Sequence, residues 1–95
     1  MKATYIVHGF VQGVGYRAYV KGLAEKLNLG GIAMNQDDGS VLIIVNGEET
    51  VLRTFEEGLN VSIKYGIQVQ NIEKQYESDI GNSADIDFGM FQIIR

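Results

Sequence analysis

Residues 31–47 read GIAMNQDDGSVLIIVNG. Two β-prone runs, Gly31 to Gln36 and Ser40 to Asn46, flank the dipeptide Asp38-Gly39, and a turn that tight needs the positive φ that glycine adopts without a Cβ penalty. The runs are therefore expected to pair as an antiparallel hairpin. The second, SVLIIVN, is apolar on both faces. It is expected at the centre of a sheet.

Upstream, Ala3 to Phe10 is rich in β-branched and aromatic residues and reads as a first strand. From Arg17 the period changes: Val20, Leu23, Ala24 and Leu27 fall on one face of a helix, which Gly30 and Gly31 stop. Downstream, Val51, Leu52, Phe55 and Leu59 mark a second helix, with Asn46 and Glu49 spaced as a capping box and Gly58 as a weak point near its end. Ile67 and Val69 open an alternating strand that runs to Tyr76, where the out-of-phase Ile72 signals a bulge. A polar segment, Glu77 to Asp87, leads to a short last strand in FGMFQIIR. The order predicts an α+β fold, a ferredoxin-like βαββαβ sandwich with two helices on one face of a mostly antiparallel four- to five-stranded sheet.

At 95 residues, the chain reads as a single domain spanning 1–95. With 45% hydrophobic and 21% charged residues it has the composition of an ordinary globular domain. There is no cysteine, which removes disulfides and thiolate metal sites, and no apolar stretch is long enough to cross a bilayer. A cytoplasmic location is expected. The net charge of −4 argues against a general nucleic-acid binder. Its distribution is uneven, however: residues 1–35 hold four basic residues and one acidic, whereas residues 36–95 hold four basic and eleven acidic. An anion site fits the first third of the chain best.

That third contains HGFVQGVGYR, residues 8–17. Three readings apply to it: an ordinary strand-to-helix turn; a dinucleotide fingerprint, since Gly13, Gly15 and Ala18 fit G-x-G-x-x-A; and a compact anion cradle. The hairpin at Asp38-Gly39 excludes the second, because a dinucleotide unit needs another parallel crossover at that point. A Walker A loop is excluded as well, since no Gly-Lys-Ser/Thr follows. In a cradle, residues without Cβ bulk let successive backbone N–H groups converge ahead of a helix N-terminus. Arg17 at that helix start opposes the dipole unless an anion lies between them, and its planar fork grips a phosphate through paired hydrogen bonds.

The run Gly9-Phe10-Val11-Gln12-Gly13-Val14-Gly15-Tyr16-Arg17 resembles the acylphosphatase signature G-x-V-Q-G-V-x-[FY]-R at every specified position. The family's second motif, G-[aromatic]-V-[basic]-N-x-x-D-G-x-V-E-x-x-x-x-G, is partly kept: Gly31, Asn35, Asp38, Gly39, Val41 and Gly47 match. Ile32, Ala33, Met34 and Leu42 depart from it, which bears on substrate affinity, local charge and turnover. The resemblance implies hydrolysis of an acyl phosphate to a carboxylate and inorganic phosphate. It makes Arg17 the phosphate ligand, Asn35 the ligand of the attacking water, and the backbone N–H groups of Gln12, Gly13, Val14, Gly15, Tyr16 and Arg17 the rest of the cradle. No cofactor and no metal are implied, because a carboxylate with a parent pKa of roughly 4 leaves without a general acid. The partners expected are a small-molecule acyl phosphate and inorganic phosphate, with no nucleic acid and no membrane, and the protein is expected to be a monomer.

Other polar residues read more simply. His8, beside Gly9, suits a paired or surface imidazole better than a general base. Asp37 and Asp38 suit turn chemistry, Asp85 and Asp87 a solvated loop rather than a calcium site, Tyr16 and Tyr19 packing at the helix start, and Glu48, Glu49, Glu56 and Glu57 an exposed helix face. The alternative function from a different class is a non-catalytic ferredoxin-like module that binds phosphate or carbamoyl phosphate. RNA recognition on the sheet lacks both a basic surface and paired aromatic motifs.

Overall fold

A computed structural model describes residues 1–63, 66–77 and 89–94. Alternating burial along Lys2–Phe10 makes β1, whose residues Ala3, Tyr5 and Val7 are fully buried. The chain continues through α1 (Tyr16–Lys26), β2 (Gly30–Asn35), β3 (Val41–Asn46), α2 (Glu49–Leu59), β4 (Gln68–Glu77) and β5 (Gln92–Ile94). The sheet order is β4-β1-β3-β2-β5, antiparallel throughout except that β5 runs parallel to β2. SVLIIVN therefore supplies the middle strand, as its unbroken apolar run demanded.

Both helices cover one face. Val20 and Ala24 of α1, with Leu52, Phe55 and Leu59 of α2, pack on Ala3, Tyr5 and Val7 and on Ala33, Val41, Ile43 and Val45. Gly58 is used where the helices meet, because a Cβ there would lie 2.5 Å from Leu23 Cδ2. The weak point in α2 is thus the place where α1 comes close. The bulge is real: His8 pairs with Asn71 but Gly9 with Val69, so Gln70 is the extra residue. Val69 and Ile72 then both turn inward although three positions separate them.

Two expectations are corrected. Asn46 does not cap α2, because it is the last residue of β3, paired with Lys2 on one side and Gly30 on the other. The residue before the helix is Glu48, and no side chain caps the end. Glu56 is not on a solvated face either. Its Oε2 accepts hydrogen bonds from Tyr5 at 2.9 Å and Tyr76 at 2.6 Å, and its Oε1 is 3.1 Å from Lys74 Nζ. The Asp85 and Asp87 segment lies outside the described residues.

Candidate anion-binding site

The site forms where β1 stops. Val11, 1% exposed, holds the chain to the core, and residues 12–15 then turn into α1. Gly13 and Gly15 have φ of 73° and 82°, and a Cβ on either would meet nothing within 4 Å. Glycine is needed there for conformation rather than for room, and the turn is left open on its outer side.

Gly15 is the N-cap of α1, so no side chain caps the helix, and the first turn has no acidic residue. The first rung of the helical ladder runs from Tyr19 N to Gly15 O at 3.0 Å. The N–H groups of Tyr16, Arg17 and Ala18 come before it and have no acceptor within the helix. They sit at the positive end of the helix dipole. Beside them lies a cavity of about 160 Å³, lined by Val11, Gly13, Gly15, Tyr16, Arg17, Ala18 and Ile93. It has room for several waters at roughly 30 Å³ each.

Arg17 is half-buried at this cavity, and its Nη1 donates to Ile94 O at 3.1 Å. That neutral acceptor occupies one of five N–H donors. The described ion pairs are Lys2–Glu77, His8–Glu73, Arg53–Glu49 and Lys74–Glu56, so among the described residues no carboxylate neutralises Arg17. The Tyr16 ring points the other way, into the core, and its hydroxyl donates to Leu59 O at 2.9 Å. Burial, and then the neighbouring Tyr19, push that hydroxyl well above the usual phenol range. Tyr19 donates to Gly58 O at 2.6 Å, and the two rings stack with centroids 6.1 Å apart. Both tyrosines thus pack as expected, seating the first turn of α1 on the last turn of α2.

Asn35 ends β2, opposite Val41. Strand alternation puts it on the helix-covered face with Ala33, at the end of the sheet where β1 gives way to the glycine turn. Its Oδ1 is buried and, among the described residues, has no hydrogen-bond partner. A buried unpaired acceptor is uncommon and calls for an explanation. Asn35 is not part of the lining of the 160 Å³ cavity. The link between the two runs through Gln12, whose Nε2 donates to Gln36 O at 2.7 Å and Ser40 O at 2.8 Å. Sequence reasoning assigned Gln12 only a backbone role.

The hairpin itself is tightly bonded. Asp38 Oδ1 accepts from Ser40 N at 2.9 Å and Ser40 Oγ at 2.5 Å, and Ser40 Oγ accepts from Gln36 Nε2 at 2.9 Å. The hydrogen bonds from Ser40 hold the Asp38 carboxyl below its ordinary range. Asp38 thus serves the turn, as its place before Gly39 indicated. His8 is paired too, with Glu73 at 2.5 Å. The motif departures fall apart by face: Ala33 is in the core, whereas Ile32 and Met34 lie on the sheet face turned away from Asn35. Met34 pairs directly with Leu42, and Ile6 and Ile94 extend that row.

A family model described as Acylphosphatase matches residues 3–90. A relative from Mannheimia succiniciproducens named Acylphosphatase is 32% identical over 93 residues, covering 98% of this chain and 97% of its own. Another of that name, from Methanospirillum hungatei, is 38% identical over 82 residues, covering 86% and 90%. The crystal structure of acylphosphatase from Bacillus subtilis superposes with a TM-score of 0.82 at 33% identity, covering 99% of this chain and 98% of that one.

Proposed function

The chain belongs to the acylphosphatase family and hydrolyses acyl phosphates, and on that premise we propose how its own residues do so. The phosphoryl group sits against the N–H groups of Gln12 to Arg17, at the positive end of α1. Arg17 keeps one N–H on Ile94 O and turns its remaining donors to the phosphoryl oxygens, where charge gathers as the bond to the acyl oxygen stretches. Asn35 Oδ1 accepts a hydrogen bond from the attacking water and holds it in line. The water oxygen bonds to phosphorus, the phosphorus–acyl oxygen bond breaks, and the electron pair leaves on the carboxylate. An amide is no base, so the water's proton passes to a phosphoryl oxygen. No step requires a metal, a cofactor or a general acid, because the leaving carboxylate is already a stable anion.

The observation that carries this reading is the buried Asn35 Oδ1, which has no hydrogen-bond partner among the described residues, at the same end of the sheet as an uncapped helix start. Hydrolysis of benzoyl phosphate by the purified protein tests it. Arg17→Ala is expected to abolish inhibition by inorganic phosphate. Asn35→Ala is expected to keep that inhibition and lower kcat by about 10²-fold or more. No hydrolysis above the uncatalysed rate would overturn the reading. We further place the protein as a single domain spanning 1–95 and a monomer in the cytoplasm, acting on a small molecule rather than on nucleic acid or membrane. The cysteine-free composition supports a reducing compartment, and the net charge of −4 favours a small molecule over nucleic acid.

A further inference from the structure

The geometry points to Gln12 as a positioning residue for hydrolysis: its side-chain amide holds the β2–β3 hairpin, and with it Asn35, at a fixed distance from the phosphate cradle. The inference rests on the roles given above to Arg17 and Asn35, and it adds a side chain that touches neither water nor phosphate. A glutamine amide has two N–H donors, and both are in use, on Gln36 O at 2.7 Å and Ser40 O at 2.8 Å. Those carbonyls belong to the residue after Asn35 and the residue before Val41, the cross-strand partner of Asn35. The two bonds therefore bracket the pair that carries the water ligand.

The hairpin does not need Gln12 in order to close. Gln36 N already donates to Ser40 O at 2.9 Å, Gly39 N to Gln36 O at 3.1 Å, and Asp38 to Ser40 are bonded through the side chain. What Gln12 adds is a tie from the hairpin mouth to the turn that begins the cradle. The tie is protected, since Ser40 is 1% exposed. Any residue but proline at position 12 would supply the backbone N–H that the cradle uses, but reaching two carbonyls across the gap takes a long side chain with two donors. The neighbouring Gly13 and Gly15 have no side chains with which to anchor the turn. In-line attack is sensitive to such placement, with a displacement of about 1 Å costing about 10²-fold in rate.

Gln12→Met keeps the length of the side chain and removes both donors. It is measured with benzoyl phosphate on protein shown to be folded by circular dichroism, alone and in an Asn35→Ala background. The expected result is a kcat lowered about 10- to 100-fold, inhibition by inorganic phosphate changed by no more than about twofold, and no further loss in the double variant. A lower melting temperature with native kcat would overturn the inference, since the role would then be structural alone. So would a parallel loss of phosphate inhibition and kcat, or losses that add to those of Asn35→Ala. If Gln12→Met does not fold, Gln12→Glu takes its place. Its carboxylate repels the two carbonyls, while its protonated form regains one donor, so its kcat relative to the native protein is expected to rise as the pH falls; a flat ratio would overturn the inference. Native kcat in Asn35→Ala would overturn both this inference and the water assignment, whereas native kcat in Gln12→Met beside a disabled Asn35→Ala overturns this inference only.

Discussion

Replacing one hydrogen of Gly15 by a methyl group separates conformation from packing at the entrance to α1. The φ of 82° is left-handed, yet a Cβ would meet nothing within 4 Å. Gly15→Ala is therefore expected to destabilise the fold by about 1–2 kcal/mol through backbone strain alone. Gly15→Asn, whose side chain tolerates that region, should recover part of the loss in urea denaturation. At this scale the glycines and Arg17, each set by a local requirement, a positive φ or a helix start, could be read from the sequence, and Asn35 through its match to the family motif. The role of the Gln12 side chain could not. Its two acceptors lie 24 and 28 residues further on, and only the folded hairpin brings them within reach.

At the scale of elements, α1 is seated by its first turn. Tyr16 is 1% exposed, and its hydroxyl serves a carbonyl at the end of α2 that the helix cannot satisfy itself. Tyr16→Phe is expected to leave Leu59 O buried and unpaired, at a cost of about 1–3 kcal/mol in chemical denaturation. Tyr19→Phe, at a half-exposed position, should cost less. The hairpin, the central strand and the β4 bulge were all legible, since turn chemistry and a two-residue period are local signals. The capping box failed for a reason the spacing could not carry: the pairing of Asn46 with both Lys2 and Gly30 keeps it in the strand. The changes at Met34 and Leu42 are also clearer in the structure. They are cross-strand partners, so an exchange of opposite charges for two apolar side chains keeps the pair compatible, on the face away from the cradle.

Across the whole molecule, Glu56 ties α2 to both β1 and β4 through Tyr5, Tyr76 and Lys74. Charge on a helix suggested solvent exposure, and the tyrosines that contradict it lie 51 and 20 residues away. Burial on its own would raise the Glu56 carboxyl, but the hydrogen bonds of Tyr76, Tyr5 and Lys74 outweigh it and hold the group below its ordinary 4.5. A carboxyl lowered by folding stabilises the native state above its unfolded value, and that contribution is lost as the pH falls through the folded value. Glu56→Gln is accordingly expected to flatten the decline in urea midpoint below about pH 4.5. The Tyr76 phenol, pushed up to about 12 chiefly by its hydrogen bond to Glu56, has the opposite sign. Its contribution is present below the ordinary phenol value of 10 and fades as the pH rises toward about 12.

The bond from Arg17 Nη1 to Ile94 O joins residues 77 positions apart in the chain. On the ribosome, the helix that bears the arginine is made long before the strand that steadies it, and contacts so distant in sequence close late in folding. On the role proposed for Arg17, catalytic competence is thereby tied to the arrival of β5. A chain still being synthesised can bear the whole glycine signature and not yet be an enzyme.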